Sequence, residues 1–339
     1  MAAIDRSTVY LCVLPAGHNF AISSPGWLGV LCSGGHVVMA PDPSANTCMH
    51  LIEAHDVTIT GVVPPVAMLW LDAAARASRT RTPLPDLSSL CVLQVGGAKL
   101  PESVARRVRG TLNCRLQQVF GMAEGLVNYT RLDDPLELVV TTQGRPISDE
   151  LDELVILDDN GEPVPEGEPG HLLTRGPYTI RGYLGTPETN RRSFTKDGFY
   201  RTGDIVRRVG QHVQVTGRST DLINRGGEKI SPEEVENLLL KHPDVLEAHV
   251  TGAPDEILGE RIRAWVIPRS ASALTTKRLR QHLIALGIAN YKMPDYLELC
   301  TELPRTAVGK TARIEPSDGL REQDALPGTR SPDIEPNCP

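Results

Sequence analysis

Six short segments of this 339-residue chain carry residue types that handle nucleotides or acyl groups. Glycine pairs allow a backbone to approach a ligand closely, carboxylates are preferred ligands of Mg²⁺, and Arg and Lys side chains neutralise phosphate. The order and spacing of the segments predict a site that binds a nucleotide and an acyl group together. In chain order they are His18-Asn19-Phe20, Val95-Gly96-Gly97-Ala98, Phe120-Gly121-Met122-Ala123-Glu124-Gly125, Tyr200-Arg201-Thr202-Gly203-Asp204, Gly217-Arg218 and Gly309-Lys310.

Each segment also has a structural alternative when it is taken alone. The Gly96-Gly97 pair is a common turn, and Glu124 fits a surface ion pair. Asp204 fits a turn in which its carboxylate bonds to the nearby backbone. The ordered series therefore supports the chemical interpretation better than any single residue does.

The segments follow the predicted strands of an α/β fold. From Val9 to about Val119, short β-rich runs alternate with longer helical runs, which is typical of a largely parallel sheet covered by helices. Ligands of such sheets bind beyond the carboxyl ends of the strands. His18, Gly96 and Glu124 each follow an apolar β run, so we expect them at that edge.

Two further patterns follow along the chain. After Asp134, short β-like stretches separated by Gly and Pro turns predict a compact β subdomain. From Arg218 onward the pattern predicts a small α+β unit, whose first helix begins at Ser231-Pro232 with a capping box between Ser231 and Glu234. We therefore predict a large domain over residues 1–217, a small domain over residues 218–316 and a disordered tail over residues 317–339.

Composition argues against several classes of function. Lys plus Arg number 35 against 42 Asp plus Glu, and the net charge of −7 disfavours nucleic acid and anionic membranes as partners. Seven scattered cysteines without a Cys-x-x-Cys pair suggest neither a disulfide framework nor a zinc site. No apolar run reaches the length of a membrane span. We expect a cytoplasmic protein that binds small molecules and proteins.

The six segments resemble the second half of the acyl-adenylate-forming (AMP-binding) enzymes, from residue 8 to about residue 313. Within that superfamily the chain is most similar to the stand-alone aryl acid:AMP ligases of siderophore biosynthesis, and among these to the 2,3-dihydroxybenzoate-AMP ligases. The resemblance implies that an aryl acid and ATP give aryl-AMP and pyrophosphate. The phosphopantetheine thiol of an aryl carrier protein would then take the aryl group. It also implies a large AMP-binding domain followed by a small lid domain.

The resemblance assigns nucleotide-binding and catalytic roles to residues of this chain. Glu124 would hold the Mg²⁺ bound to ATP, while Asp204 and Arg218 would bind the ribose. Lys310 would bridge the acyl carboxylate and the α-phosphate, since a mobile ammonium group can enter and leave with the lid. The other residues expected to contact ATP or AMP are Gly96, Gly97, Ala98, Val119, Phe120, Gly121, Met122 and Ala123.

Asn19 points to an aryl acid as the substrate. Amino-acid-activating members of the superfamily carry an aspartate there to pair with the α-ammonium group, whereas neutral Asn19 can hydrogen-bond a phenolic hydroxyl. Ser24 and Val127 fit the family pattern for 2,3-dihydroxybenzoate, but Phe20 is more usual with salicylate, so both substrates stay open. The other residues expected to line the aryl-acid pocket are His18, Gln94, Gly96, Val119 and Asn128.

The lid segment carries two further expectations from the resemblance. The hinge between the adenylation and thiol-transfer poses would lie at Thr220, where family members usually carry Asp or Lys. We therefore expect altered lid kinetics. Gly226 and Gly227 would line the tunnel for the pantetheine arm of the carrier protein.

One element of the family has no counterpart in this sequence. The family's phosphate-binding loop, a Ser/Thr/Gly-rich run ending in Pro-Lys, precedes the His-Asn segment, and the seventeen residues before His18 do not form it. We therefore expect only the later part of the large domain, with a separately encoded N-terminal half as one candidate partner. Two alternatives stay open: an inactive or split fragment that binds only nucleotide or carrier protein, and an acyl-CoA synthetase.

Overall fold

The first part of the chain forms a mixed sheet flanked by helices, in agreement with the predicted α/β class. This computed structural model describes residues 4–185, 187–219, 221–269 and 274–303. The strands of the first sheet are β1 (Val9–Cys12), β2 (His36–Met39), β3 (Ile59–Val62), β4 (Val92–Gly96), β5 (Arg115–Gly121), β6 (Val127–Tyr129) and β7 (Arg145–Pro146). Its helices are α1 (Asn19–Ser23), α2 (Gly26–Cys32), α3 (Ala45–His55), α4 (Pro64–Thr80), α5 (Glu102–Leu112) and α6 (Leu136–Thr141).

The larger part of this sheet is parallel and buried. Its strand order is β2-β1-β3-β4-β5-β6-β7, with β1 to β5 parallel and the last two strands antiparallel. Every residue of β3 and β4 is buried, as expected for central parallel strands covered on both faces. The carboxyl ends of β1, β4 and β5 therefore lie along one edge, where the sequence places its chemical segments.

The β subdomain follows as a separate antiparallel sheet. Its elements are β8 (Glu153–Leu157), β9 (Gly170–Arg175), α7 (Pro187–Ser193), β10 (Tyr200–Val209) and β11 (His212–Arg218), in the strand order β11-β10-β9-β8. Reciprocal backbone bonds fix this sheet to the first: Gln143 N donates to Val213 O, and Val213 N donates to Gly144 O, each at 2.8 Å. The two sheets thus share a continuous hydrogen-bonded junction.

The small α+β unit carries its own sheet and core. Its elements are β12 (Ile223–Arg225), β13 (Glu228–Ile230), α8 (Pro232–Leu239), β14 (Val245–Asp255), β15 (Gly259–Pro268), α9 (Thr276–Ala285), a 3₁₀ turn (Asn290–Lys292) and β16 (Tyr296–Leu299). Buried Val235, Leu239 and Leu279 pack with the strands in one hydrophobic cluster. The predicted domain boundary after residue 217 coincides with the end of β11 and stays a prediction. The predicted tail lies outside the described residues, among which no helix is long and apolar enough to cross a membrane.

The capping box predicted at the start of α8 is wrong. Ser231 is the N-cap residue and Pro232 the first helical residue, but the Ser231 side chain makes no capping bond. Its Oγ instead donates to Thr216 O of β11 at 2.7 Å, and Glu234 accepts from Lys292 Nζ. The partners of both side chains are distant in sequence, so local spacing could not predict them. Ser231 therefore ties the lid helix to the β subdomain.

Candidate functional site

A bulge in β10 aims Asp204 into the molecule. The pairing of β10 with β9 shifts register between Arg201 and Ile205, and Gly203 within the shift has a φ of +76°, which favours glycine. Thr202 Oγ1 accepts from Asp204 N and donates to Leu172 O, each at 3.0 Å. The Thr-Gly-Asp sequence therefore builds a fixed turn around one carboxylate.

Asp204 is a buried carboxylate that is only half satisfied. It is 3% exposed, and Arg218 Nε of the neighbouring strand donates to its Oδ1 at 2.7 Å. Its Oδ2 is buried and has no hydrogen-bond partner among the described residues. Burial raises the pKa of Asp204, and Arg218 opposes that shift. An acceptor oxygen held in this way fits a ligand that donates hydroxyl groups.

Glu124 connects to the same region through two tyrosines. It follows β5, and Tyr183 Oη donates to its Oε1 at 2.8 Å. The hydroxyl groups of Tyr183 and Tyr200 lie 2.9 Å apart, and Tyr200 begins the strand that carries Asp204. Burial and these hydrogen bonds raise the pKa of Tyr183, so its hydroxyl stays a donor to the carboxylate.

Two glycines allow the Phe20 ring to pack closely where β3, β4 and β5 run side by side. A Cβ added to Gly96 would lie 2.8 Å from Val119 O and 3.2 Å from Phe20 Cε1. A Cβ added to Gly61 would lie 3.3 Å from Phe20 Cζ and 3.7 Å from Gln94 Oε1. The two glycines thus permit a close approach of the Phe20 ring, which an added side chain at either position would crowd.

Buried amides with open hydrogen-bonding capacity lie on the same strands. Gln94 is 1% exposed and Asn128 is fully buried. Gln94 Oε1 and both polar side-chain atoms of Asn128 have no partner within the described ranges of the chain. Since buried polar groups are normally paired, these atoms suit a ligand that carries hydroxyl groups. Val127, which pairs with Gly121 across β5 and β6, is half-buried beside them.

The His18 to Ser24 segment starts the pocket wall. His18 caps α1, and its Nδ1 accepts from Phe20 N at 3.3 Å. Phe20 and Ser24 are buried, as expected for pocket residues. Asn19 is exposed, and its Oδ1 accepts from Ser23 Oγ at 3.2 Å. The structure therefore places Phe20 against the pocket but leaves the predicted role of Asn19 without a contact that supports it.

The remaining residues predicted to contact the nucleotide lie at the ends of β4 and β5. Gly97 and Ala98 are exposed directly after β4, and Phe120, Gly121, Met122 and Ala123 form the end of β5 and the turn before Glu124. A cavity of about 460 Å³ lies between α4 and the lid, and Ala98, Gly217 and Arg218 are part of its wall.

The structure describes only some of the predicted functional residues of the lid. Gly226 and Gly227 form the exposed turn between β12 and β13, both with positive φ, and Gly226 N donates to Leu258 O at 2.7 Å. Their predicted role in a pantetheine tunnel stays a prediction. The predicted hinge, Thr220, and the predicted catalytic Lys310 lie outside the described residues.

Sequence reasoning missed three residues that the structure brings to the site. Tyr183 is 59 residues from Glu124, Gly61 lies within an ordinary apolar strand, and Gln117 bonds to Gln94 from the next strand. Tyr183 and Gly61 belong to no recognisable local motif. For Gln117 one signal was available, because uncharged polar residues are uncommon in central strands.

The residues present fit a magnesium ion that is carried largely by its nucleotide. The described part of the chain contains no group of three or more His, Cys, Asp or Glu side chains able to hold a metal. Mg²⁺ at phosphate sites commonly takes one or two carboxylates and completes its shell with phosphate and water. The half-buried carboxylate of Glu124 suits that arrangement.

Comparison with known proteins identifies the family of this chain. The chain matches the AMP-binding enzyme family over residues 2–184 and the AMP-binding enzyme C-terminal domain over residues 234–310. It is 54% identical to the 2,3-dihydroxybenzoate-AMP ligase of Bacillus subtilis over 94% of this chain and 58% of that protein. It is 53% identical to the vibriobactin-specific 2,3-dihydroxybenzoate-AMP ligase of Vibrio cholerae, over 90% of this chain and 55% of that protein.

A solved structure also aligns with most of this chain. The apo structure of Mycobacterium smegmatis MbtA aligns with a TM-score of 0.60 and 45% identity, over 91% of this chain and 56% of that one. The chain thus spans little more than half the length of the relatives that it matches. The two domain matches and these relatives show that the chain belongs to the AMP-binding enzyme family.

Proposed function

We propose that this chain contributes the aryl-acid, ribose and magnesium sites of an aryl-acid adenylating ligase. The observation that carries the proposal is the buried Asp204 carboxylate, whose Oδ2 has no partner in the described residues although Arg218 bonds to its Oδ1. Two vicinal ribose hydroxyls are donors that such a carboxylate can accept. Two of the relatives that match are named 2,3-dihydroxybenzoate-AMP ligases.

In the proposed reaction, a carboxylate oxygen of the aryl acid attacks the α-phosphorus of ATP and pyrophosphate leaves. Asp204 and Arg218 hold the ribose, which fixes the α-phosphate relative to the acyl pocket. Lys310 bridges the carboxylate and the α-phosphate. Magnesium, held at Glu124, neutralises phosphate charge when it is bound.

The acyl pocket proposed here takes a hydroxylated benzoate. Phe20, Gly61, Gly96 and Val119 lie close together at the ends of neighbouring elements and would supply apolar contacts to the faces of an aromatic ring. Ser24, Gln94 and Asn128 are buried polar residues that can bond ring hydroxyls. The names of the relatives favour 2,3-dihydroxybenzoate, and salicylate is the runner-up because of Phe20.

We further propose that the aryl group passes to the phosphopantetheine thiol of an aryl carrier protein, with coenzyme A as the rival acceptor. The resemblance to aryl acid:AMP ligases supports the carrier protein, whereas the names of a salicylyl-CoA synthase and a naphthoate–CoA ligase, each 48% identical, support coenzyme A. A catalytically inactive fragment that binds only nucleotide or carrier protein is the competing function, and the chain spans little more than half the length of the relatives that it matches.

Aryl-acid-dependent exchange of labelled pyrophosphate into ATP tests the proposed reaction. We expect exchange with 2,3-dihydroxybenzoate or salicylate, and none without an aryl acid. Folded protein that binds AMP but supports no exchange would establish the binding-only function instead. Comparing carrier protein with coenzyme A as acceptors of the labelled aryl group distinguishes the two thiols.

A further inference from the structure

A line of buried amides crosses the sheet beside the acyl pocket. Gly61, Gln94 and Gln117 are register partners on β3, β4 and β5, and both glutamines are 1% exposed. We propose that Gln117 is a positioning residue that fixes the amide of Gln94 with its oxygen toward the pocket. The proposal rests on the proposed function, because it names the chemical group that the aryl acid must present.

The orientation of both amides follows from one backbone carbonyl. Thr130 O can only accept, so the Gln117 atom that faces it at 2.9 Å must be Nε2, a donor. Gln117 Oε1 then faces Gln94 and must accept from Gln94 Nε2, at 3.0 Å. The Gln94 amide is therefore held in one of its two orientations, and its Oε1 points away from Gln117.

Gln94 Oε1 lies beside residues of the proposed acyl pocket. It is 3.7 Å from the position of a Cβ on Gly61, and Phe20 Cζ lies 3.3 Å from the same position. The oxygen is buried and accepts no hydrogen bond from the described residues. Because a buried carbonyl oxygen without a donor is costly, the pocket favours a ligand that brings an O–H group to this point.

The consequence is selection for ring hydroxyls over unsubstituted rings. A phenolic O–H would donate to Gln94 Oε1, whereas benzoate would leave this buried oxygen unpaired. The difference predicted from a buried unpaired acceptor is about tenfold or more in affinity. Had the Gln94 amide been reversed, its Nε2 would face the pocket and the preference would be for an acceptor.

The test compares the binding of benzoate, 2-hydroxybenzoate, 3-hydroxybenzoate and 2,3-dihydroxybenzoate by calorimetry. Gln117→Met keeps the chain length but removes both polar atoms, so Gln94 becomes free to reverse. We expect the preference for the best hydroxylated ring to fall from about tenfold to about threefold or less, with little change for benzoate. Gln117→Glu, protonated in this buried position, can still donate to Thr130 O and accept from Gln94. It should retain the preference.

Gln118→Met is the matched control. Gln118 is equally buried on the same strand, but its Nε2 donates to Val139 O at 2.6 Å and its Oε1 accepts from Gln143, away from Gln94. This variant should lose stability without changing the hydroxyl preference. An equal loss of preference in Gln118→Met, or a preference retained in Gln117→Met, would overturn the positioning role.

A measurement without ligand separates this inference from the proposed function. In the free protein, nuclear Overhauser contacts should connect the Gln94 side-chain amide protons to Gln117, and not to Phe20. Contacts to Phe20 would refute the orientation whether or not an aryl acid binds. If the orientation is as described and none of the four acids binds to folded protein, the selection role and the aryl-acid pocket are both wrong.

Discussion

At the scale of residues, the central feature is a carboxylate that the fold buries at a cost. Asp204 is held by Thr202 and Arg218, yet one of its oxygens has no bond within the described chain. Such groups persist where a ligand completes them, since natural proteins otherwise pair their buried polar atoms. The ribose-binding role inferred for Asp204 is therefore open to direct tests.

Asp204→Asn should weaken AMP binding by about tenfold, because a hydrogen bond to a charged acceptor contributes on the order of 1.5–3 kcal/mol and the amide replaces one acceptor oxygen. The melting temperature at pH 7 should stay equal or rise, since the substitution removes a buried charge. Calorimetry and thermal unfolding measure the two effects. Asp197→Asn, at an exposed position of the same subdomain, is the control and should change neither.

AMP binding should also depend on pH through Asp204. Burial raises the pKa of Asp204, so its carboxylate takes up a proton at a higher pH than an ordinary aspartate, and the acceptor is lost as pH falls through that value. The effect of pH on folding stability has the opposite sign. A raised pKa in the folded state stabilises the native protein at pH values below that pKa, and this contribution is lost as the pH rises. AMP affinity measured from pH 7 to pH 4.5 should fall more steeply in wild type than in Asp204→Asn. Parallel profiles would contradict this assignment.

At the scale of elements, glycines at junctions decide whether the sheets can meet. Gly144 has a φ of +80° and connects the first sheet to the β subdomain through Val213. A Cβ there would lie 1.9 Å from the carbonyl carbon of Tyr129, whereas a Cβ at Gly161, with a φ of +85°, meets nothing within 4 Å. The two positions share a backbone conformation but differ in the space that is available for a side chain.

Gly144→Ala should therefore destabilise the protein by about 4 kcal/mol or more, because the backbone of β6 must move. Gly161→Ala should cost only about 1–2 kcal/mol, the penalty of the left-handed conformation alone. Urea unfolding of both variants measures the difference. Equal losses would show that the close approach at Gly144 relaxes without cost.

The sequence predicted the elements better than the contacts between them. The alternation of β and helical runs predicted the parallel sheet and placed Gly96 and Glu124 at strand ends, because each signal lies within a few residues. The capping box at Ser231 failed because Thr216, fifteen residues away, binds the hydroxyl instead. Tyr183 and Gln117 could not be predicted as site residues, since their partners become neighbours only after folding.

At the scale of the whole molecule, ion pairs connect the lid to the rest of the chain. Asp72 of α4 accepts from Arg107 of α5 and from Arg269 of the lid, the latter at 2.8 Å. Lys229 of the lid hairpin pairs with Asp159 of the β subdomain at 2.8 Å. Because these pairs are partly exposed, each adds little to the stability of this arrangement of the lid.

Asp72→Ala should loosen the lid without unfolding the protein. A partly exposed pair contributes about 1 kcal/mol or less, so the unfolding free energy should change little. Local opening of the lid should become up to about fivefold more frequent, which limited proteolysis detects as faster cleavage. Asp149→Ala breaks an ion pair with Arg145 that does not involve the lid, so it should leave the rate of cleavage unchanged. Equal cleavage of both variants would refute a role for Asp72 in the pose.

The central claim is that one chain holds the acyl pocket and the ribose site of an aryl adenylate together. Its most direct test is calorimetric binding of a non-hydrolysable sulfamate analogue of 2,3-dihydroxybenzoyl-AMP, which occupies the acyl pocket and the ribose site at once. We expect binding with one site per chain, weakened about tenfold by Asp204→Asn and less affected by Asp197→Asn. Folded wild-type protein that binds neither this analogue nor its salicyl counterpart would contradict the account.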